Sequence, residues 1–497
     1  MFDTVLVANR GEIAVRIVRA CRELGLASVA VYSDVDRLSP HVLEADRAVR
    51  IGPAPSSQSY LRGDHLIEVA RSAGAGAIHP GYGFLAEQAS FAADVEKAGL
   101  VFIGPSPESM RAMGDKIAAR LRMAEAGVPI IPGSLERAAG PEEAARTAHE
   151  LGFPVLLKAV AGGGGKGMRV VSDADGLPPA FEAASREAES AFGDGSVYVE
   201  KYLARPRHIE IQLLGDQSGA VVHLGERECS IQRRHQKLIE ESPAPLLERA
   251  DRDAMGLAAV EAARAVDYRG AGTVEFLYED GEFYFLEMNT RLQVEHPVTE
   301  LVTGLDLVQW QIRVALGEPL DFCQDDVSFS GHAIECRITS EDPDRGFLPA
   351  TGRIDHLEVP SGPGVRWDGG IRAGSEIGPH YDPLLGKLIV HAGSRTAAIA
   401  RMKRALGELV IHGVETSVSF HLRVMEEEDF GRGHLTIAYL DDHPELLQPS
   451  AGETRLLAVA AAMLEHEGSG RGSPTRIDGP DGRGLSTWRA SGWPWQT

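Results

Sequence analysis

The residues that could do chemistry begin with a group of acidic and amide side chains able to hold a hard cation. Thr273 to Tyr278, the turn Glu279-Asp280-Gly281 and Glu282 to Asn289 alternate as the two strands of a hairpin. A two-residue loop at Asp280-Gly281 would set Glu275 opposite Leu286 and mix polar and apolar residues on both faces. A three-residue loop, with Gly281 left-handed in a bulge, instead aligns Val274, Phe276, Tyr278, Tyr284 and Leu286 on one face. Glu275 and Glu287 then share the other face, and Asn289 points the same way as Glu287. Three hard oxygen donors so placed suit magnesium, or manganese, beside nucleotide phosphates. A solvated acidic strand face gives the same pattern, but the run Asn289-Thr290-Arg291-Leu292-Gln293-Val294-Glu295-His296 shifts the balance. It puts a guanidinium and a carboxylate just beyond the donors, where an oxyanion clamp and a base belong.

A second group is suited to phosphate. The strand-like Val155-Leu156-Leu157-Lys158-Ala159 runs into Gly162-Gly163-Gly164-Gly165-Lys166-Gly167-Met168. Consecutive glycines let backbone N–H groups approach phosphate closely, and Lys158 and Lys166 supply charge. It is not a Walker A loop, since Gly167 stands where Ser or Thr is needed. A third block, Glu226 to Lys237, is densely polar after the apolar run Ala220 to Leu224 and reads equally well as an exposed loop.

The elements that must position these groups are those of an α/β protein, with α+β character in its centre. Val5 to Ala8, the amphipathic Ile13 to Leu24 and Ser28 to Tyr32 form a βαβ opening, and strand-then-turn units follow at Ala77 to Gly81 and Val101 to Pro105. Residues 1–115 therefore read as a Rossmann-like, doubly wound parallel sheet. The first strand runs into Asn9-Arg10-Gly11-Glu12 rather than GxGxxG, so no dinucleotide is implied. Residues 116–317 read as a nucleotide-binding unit with a mobile lid over about 131–203. Residues 331–441 read as a third, β-rich domain packed on the second. Residues 446–497 read as a helix, a flexible linker rich in Gly, Ser and Pro, and a tail crowding Trp488, Trp493 and Trp495, which either packs back or docks a partner.

With 50 Lys and Arg against 72 Asp and Glu, the net charge of −22 repels nucleic acid and anionic lipid, so an anionic substrate must meet a local basic pocket. No apolar run approaches the ~20 residues of a membrane span. The first strand leaves no room for a signal peptide, and the four scattered cysteines imply neither disulfides nor zinc. A cytoplasmic enzyme is expected.

Five ordered blocks together resemble biotin carboxylases of the ATP-grasp superfamily. They are the glycine loop, the Glu287 to His296 run, His79-Pro80-Gly81-Tyr82-Gly83-Phe84-Leu85, Met113-Gly114-Asp115-Lys116 and Arg233-Arg234-His235-Gln236-Lys237. The resemblance covers residues 1 to about 445 and implies a Rossmann-like N-terminal domain, an ATP-grasp domain with a lid, and a C-terminal biotin carboxylase domain. It implies that Lys116 and Lys158 contact ATP phosphates, that Gly164 and Gly165 lie in the lid loop, and that Glu200, Lys201 and Leu203 hold adenine. His208, Gln232 and His235 would line the same pocket, and Glu275, Glu287 and Asn289 match the metal positions. Lys237, Arg291 and the backbone of Val294 would clamp bicarbonate, Glu295 would deprotonate it, and Arg337 would face biotin.

The activity so implied is ATP-dependent carboxylation of biotin through carboxyphosphate, the first half-reaction of an acetyl-CoA or other acyl-CoA carboxylase. The biotin-bearing lysine between two methionines is missing, because Met402-Lys403-Arg404 lacks the second Met. Biotin must then arrive on a separate biotin carboxyl carrier protein. The carboxyltransferase subunit must be a separate partner too, and a homodimer is implied. The competing readings are another ATP-grasp ligase and a non-catalytic nucleotide-binding protein that scaffolds a complex.

Overall fold

Val5, Leu6 and Val7 are wholly buried, so the first strand must be covered on both faces and paired on both edges. The computed structural model, which describes residues 2–134, 136–160 and 167–448, shows how. Strands β1 (Thr4–Val7), β2 (Ala27–Ser33), β3 (Arg47–Gly52), β4 (Ala77–His79) and β5 (Val101–Phe102) form a sheet of order β3-β2-β1-β4-β5. Every pair is parallel. The order reverses between β1 and β4, and the crevice beyond the carboxyl ends of such strands is where α/β sheets place ligands. Asn9, just past β1, donates from Nδ2 to the carbonyls of Pro80 and Tyr82 at 2.7 Å each, fixing the loop after β4 at that crevice.

A small three-stranded antiparallel sheet follows: β6 (Val155–Ala159) flanked by β7 (Met168–Val171) and β8 (Val197–Lys201). Helices Pro141–Leu151 and Leu177–Phe192 cover it, and Ala144, Leu157, Leu177 and Val199 make a core of its own. Such a unit can move as a body.

Eight further strands make one antiparallel sheet. They are β9 (Arg207–Gly215), β10 (Val221–Arg233), β11 (Gln236–Ser242), β12 (Gly270–Glu279), β13 (Glu282–Asn289), β14 (His332–Thr339), β15 (Val365–Gly369) and β16 (Leu384–Ala392). Their order is β13-β12-β9-β10-β11-β14-β16-β15. The C-terminal region, expected to pack on the central one, meets it within this sheet. Through the pairing of β11 with β14, Ile239 opposite Cys336 and Glu240 opposite Glu335, it extends the same sheet. No helix among the described residues is long and apolar enough to cross a membrane. The expected helix, linker and tryptophan tail lies outside the described residues from 449 onward.

Buried ion pairs tie this sheet to the first domain. Lys387, wholly buried, stands opposite Asp368 on β15. Arg366 donates to Asp368 at 2.9 and 2.7 Å and to Glu300 at 2.7 Å, and Arg16 of helix Gly11–Glu23 reaches Glu300 at 2.8 Å. Burial opposes ionisation of Asp368, but Arg366 and Lys387 outweigh it and hold the carboxyl at about 2. The stability this contributes is present above the ordinary value of 3.8 and is lost as pH falls through about 2. Asp368→Asn is expected to destabilise the fold by roughly 2–3 kcal/mol at neutral pH. Urea unfolding should show that difference shrinking on acidification.

Candidate active site

Strand β9 alternates Ile209, Ile211 and Leu213, all buried in the central core, with His208, Glu210 and Gln212. Its polar residues therefore share one face. Register carries that face across neighbouring strands. Glu287 on β13 lies opposite Glu275 on β12, Glu275 opposite Glu210 on β9, and Glu210 opposite Arg227 on β10. Four charged residues stand in a row, and the last three are buried.

The hairpin reaches this register by a route other than the one expected from its sequence. Glu279 pairs with Glu282, so the loop is the two residues Asp280 and Gly281, both at positive φ (53° and 84°). Pairing stays in that register as far as Phe276 opposite Phe285, then shifts so that Glu275 meets Glu287. The extra residue is Leu286, in mid-strand, and not at Gly281. Phe283 and Phe285 accordingly face the core with Val274 and Phe276, while Leu286 lines the cavity beside Glu275 and Glu287. The expected alignment of Tyr284 and Leu286 with Val274 and Phe276 on one face does not hold, because a mid-strand bulge changes which residues alternate inward.

Lys237 binds the row together. Its Nζ donates to Glu210 at 2.5 Å, Glu275 at 2.9 Å and Glu295 at 2.6 Å. Burial is the largest influence on this lysine and favours its neutral form, yet the three carboxylates outweigh it and raise its pKa well above the usual value. Burial likewise opposes ionisation of Glu295, which is fully enclosed, but Lys237, Arg337 and Arg227 hold it well below the carboxylate range. Glu275 is also held down, with Lys237 and His208 overcoming its burial. His208 Nε2 lies 3.0 Å from its carboxylate.

Arg337 on β14 reaches Glu240 at 2.6 Å through Nε and Glu295 at 2.9 Å through Nη2. Arg291 spans the crevice, donating to Glu87 of the first domain at 2.9 Å, to Asn289 Oδ1 at 3.1 Å and to Gln293 at 2.9 Å. Lys387 Nζ holds the carbonyl of Val294 at 2.7 Å. Asn289 donates from Nδ2 to Glu275 at 2.9 Å, and Gln293 donates to the same oxygen at 3.0 Å.

Lys237, Glu275, Arg291 and Arg337 among these groups face a cavity of about 520 Å³. Among the expected site residues, Lys158, His208, Gln232, His235, Lys237, Glu275, Glu287, Asn289, Arg291, Val294 and Arg337 line it. Glu295 lies behind its wall. Lys158, from the lid sheet, is 3.0 Å from Glu200, which also pairs with Arg120. Lys201 turns away, its Nζ donating to Gly152 O at 3.1 Å and its backbone N–H to Pro132 O at 2.8 Å. Glu200, Lys201 and Leu203 do not line this cavity. The Lys116 side chain, Gly164 and Gly165 lie outside the described residues. A cavity of about 560 Å³ behind Tyr381–Leu384 shares Asp382 and Leu384 with this one but holds none of the carboxylate row.

Sequence reasoning missed Glu210, Arg227, Glu240, Gln293 and Lys387. The signal for Glu210 was available, since polar residues at every second position of an otherwise apolar strand mark an inward polar face. The block from Glu226 to Lys237 is no exposed loop either. It is β10 turning into β11 at Arg234 and His235, both at positive φ, with Arg227 wholly buried.

A nucleotide-sized cavity between a three-stranded lid and an antiparallel sheet bearing carboxylates and lysines defines an ATP-grasp enzyme. Comparison with known proteins narrows the class. Residues 1–110 match the biotin carboxylase N-terminal domain, 115–323 the carbamoyl-phosphate synthase L chain ATP-binding domain, and 335–442 the biotin carboxylase C-terminal domain. A pyruvate carboxylase subunit from Methanothermobacter thermautotrophicus is 55% identical over 89% of this chain and 90% of its own. Biotin carboxylase of Nostoc sp. is 53% identical over 89% and 99%. The biotin carboxylase domain dimer of Hydrogenobacter thermophilus 2-oxoglutarate carboxylase, solved with MgADP, ADP and bicarbonate, superposes with a TM-score of 0.86. It is 48% identical, over 90% of this chain and 99% of that one. The chain belongs to the biotin carboxylase family.

Proposed function

We propose that this protein uses ATP and bicarbonate to carboxylate biotin borne on a separate carrier protein. The observation that carries the reading is Lys237, held by three carboxylates at the wall of the cavity, with Arg337 gripping the far oxygen of Glu295. Bicarbonate entering between Lys237, Arg291 and the backbone of Val294 competes for the lysine's hydrogen bonds. Glu295, relieved of part of that cation, becomes a stronger base, takes the bicarbonate proton, and leaves an oxyanion to attack the γ-phosphate. Lys158 and the glycine loop balance phosphate charge, and carboxyphosphate and ADP result.

Glu275, Glu287 and Asn289 fit a hard divalent ion. Two carboxylates directly opposed across strands, with an amide oxygen two residues on, are the oxygen donors that magnesium takes beside phosphates. An ion so held supplies charge neutralisation at the transferring phosphoryl group. Carboxyphosphate then breaks into CO2 and phosphate, the phosphate takes the ureido proton of biotin, and Arg337 steadies the resulting anion as it captures CO2, in a site that the lid closes from water.

We further assign a homodimer and a separate carboxyltransferase. Lys403, the nearest match to a biotinylated lysine, lies on helix Arg395–Glu408 and pairs with Glu426 at 3.2 Å. Four free cysteines fit a reducing, cytoplasmic setting. The acceptor of the carboxyl group, an acyl-CoA, pyruvate or 2-oxoglutarate, is chosen by the transferase. Labelled bicarbonate tests the reading: biotinylated carrier is expected to be labelled with kcat/KM at least about 10-fold above free biotin, reflecting added binding energy. Labelling of the chain itself, with no carrier present, would contradict it.

A further inference from the structure

Glu335 is wholly buried on β14, and neither of its oxygens accepts a hydrogen bond from a described residue. Directly opposite it on β11 is Glu240, also wholly buried, whose Oε2 accepts none either. Residues so paired across an antiparallel ladder point to one face with Cβ atoms about 5 Å apart. Arg337, two residues along β14 on the same face, donates from Nε to Glu240 Oε1 and from Nη2 to Glu295 Oε2. Lys387, opposite Arg337 on β16, donates to Val294 O and lies 3.3 Å from Glu12.

Two enclosed carboxylates with three bare oxygens are not a stable pair of anions, since buried acceptors are almost always satisfied and like charges in one site do not both ionise. A single proton held between them removes one of the two charges and gives two of the three oxygens a partner. We propose that Glu335 and Glu240 share one proton behind Arg337, making Glu335 a positioning residue that leaves the guanidinium's charge to Glu295 and to the ureido group of biotin. With both ionised, three carboxylates would surround one arginine and draw it away from the substrate. This rests on the biotin-carboxylating reading for its consequence, and on the strand geometry alone for the proton.

The charged surroundings agree. Arg337 stands on the same strand, Lys387 on β16, Lys237 on β11, Glu295 and His296 at the start of helix His296–Thr303, and Tyr82 in the loop after β4. Glu12 acts through Lys387, and Cys336 belongs to the core on the opposite face. Burial dominates both carboxyls. It raises Glu335 well above the ordinary value, reinforced by Glu240 and Glu295, and Glu240 to about 7, reinforced by Glu295, with Arg337 countering each only in part. The proton is therefore present at neutral pH and leaves on the alkaline side, as a property of the pair.

Glu335→Gln tests this in the full chain, because glutamine beside an ionised Glu240 carries the same charge as the one-proton pair and cannot lose it. The kcat/KM for free biotin in the wild type is expected to fall on the alkaline side. In the variant that fall should move up by about one pH unit or more. A merely structural role would lower the melting temperature without moving the limb, so overlaying profiles would overturn the proposal. Infrared difference spectra of the wild type provide a readout independent of activity and of how the variant folds. A buried protonated carboxyl band at neutral pH, lost on alkaline titration, is expected; its absence would refute the shared proton even if biotin is carboxylated as proposed.

Discussion

Lys237→Ala is expected to reduce bicarbonate-dependent ATP cleavage by about 10³-fold, within the range for loss of a preorganised charge at a developing anion. The same change leaves Glu210, Glu275 and Glu295 buried around a missing cation. Loss of one partner from a buried ionic cluster costs roughly 3–5 kcal/mol, so the melting temperature should drop as well. Lys237→Arg should restore much of the stability but little of the rate. A planar guanidinium can pair with the carboxylates, yet it cannot place one compact ammonium at 2.5–2.9 Å from three different oxygens. Stopped assays at saturating ATP, with calorimetry on each variant, separate the two effects. Equal losses of rate and stability in both variants would make Lys237 a structural strut only.

Glu295→Gln carries the second large effect, a fall in kcat of about 10²–10⁴-fold with the bicarbonate KM changed far less. The amide fills the same enclosed space and can still accept from Arg337, but it cannot take a proton. Because Lys237 and Arg337 keep Glu295 ionised in the absence of substrate, the variant also removes a negative charge between two cations, and some destabilisation should accompany it. Its stability contribution is present above the ordinary carboxylate value and is lost as pH falls. A Glu295→Gln enzyme that turns over like the wild type would assign the base elsewhere, with Glu210 the next carboxylate on Lys237.

Local patterns in the chain reveal a good part of this arrangement. The alternation of the first strands and the absence of GxGxxG point to a doubly wound sheet without a dinucleotide, and β1 to β5 form one. The pairing of Glu275 with Glu287 is legible in the hairpin, but the bulge that produces it is not. Turn chemistry favours Asp280-Gly281 as a two-residue loop, and the shift at Leu286 is imposed by the need to bury Phe285 and Met288 together. The block around Arg227 misleads for the opposite reason. A run of charges reads as exposed loop until its partners are known, and those partners, Glu210, Gln212 and Thr299, come from distant segments. The extension of the central sheet by β14 to β16 is likewise non-local, set by side chains on strands about a hundred residues apart such as Ile239 and Cys336.

The most direct test of the account is ADP release by the purified chain with magnesium and ATP, with and without bicarbonate and free biotin, beside Lys237→Ala. Release that requires bicarbonate, rises with biotin and is lost in the variant is the expected result. Release that requires bicarbonate but ignores biotin, or that persists in Lys237→Ala, would contradict biotin carboxylation at this site.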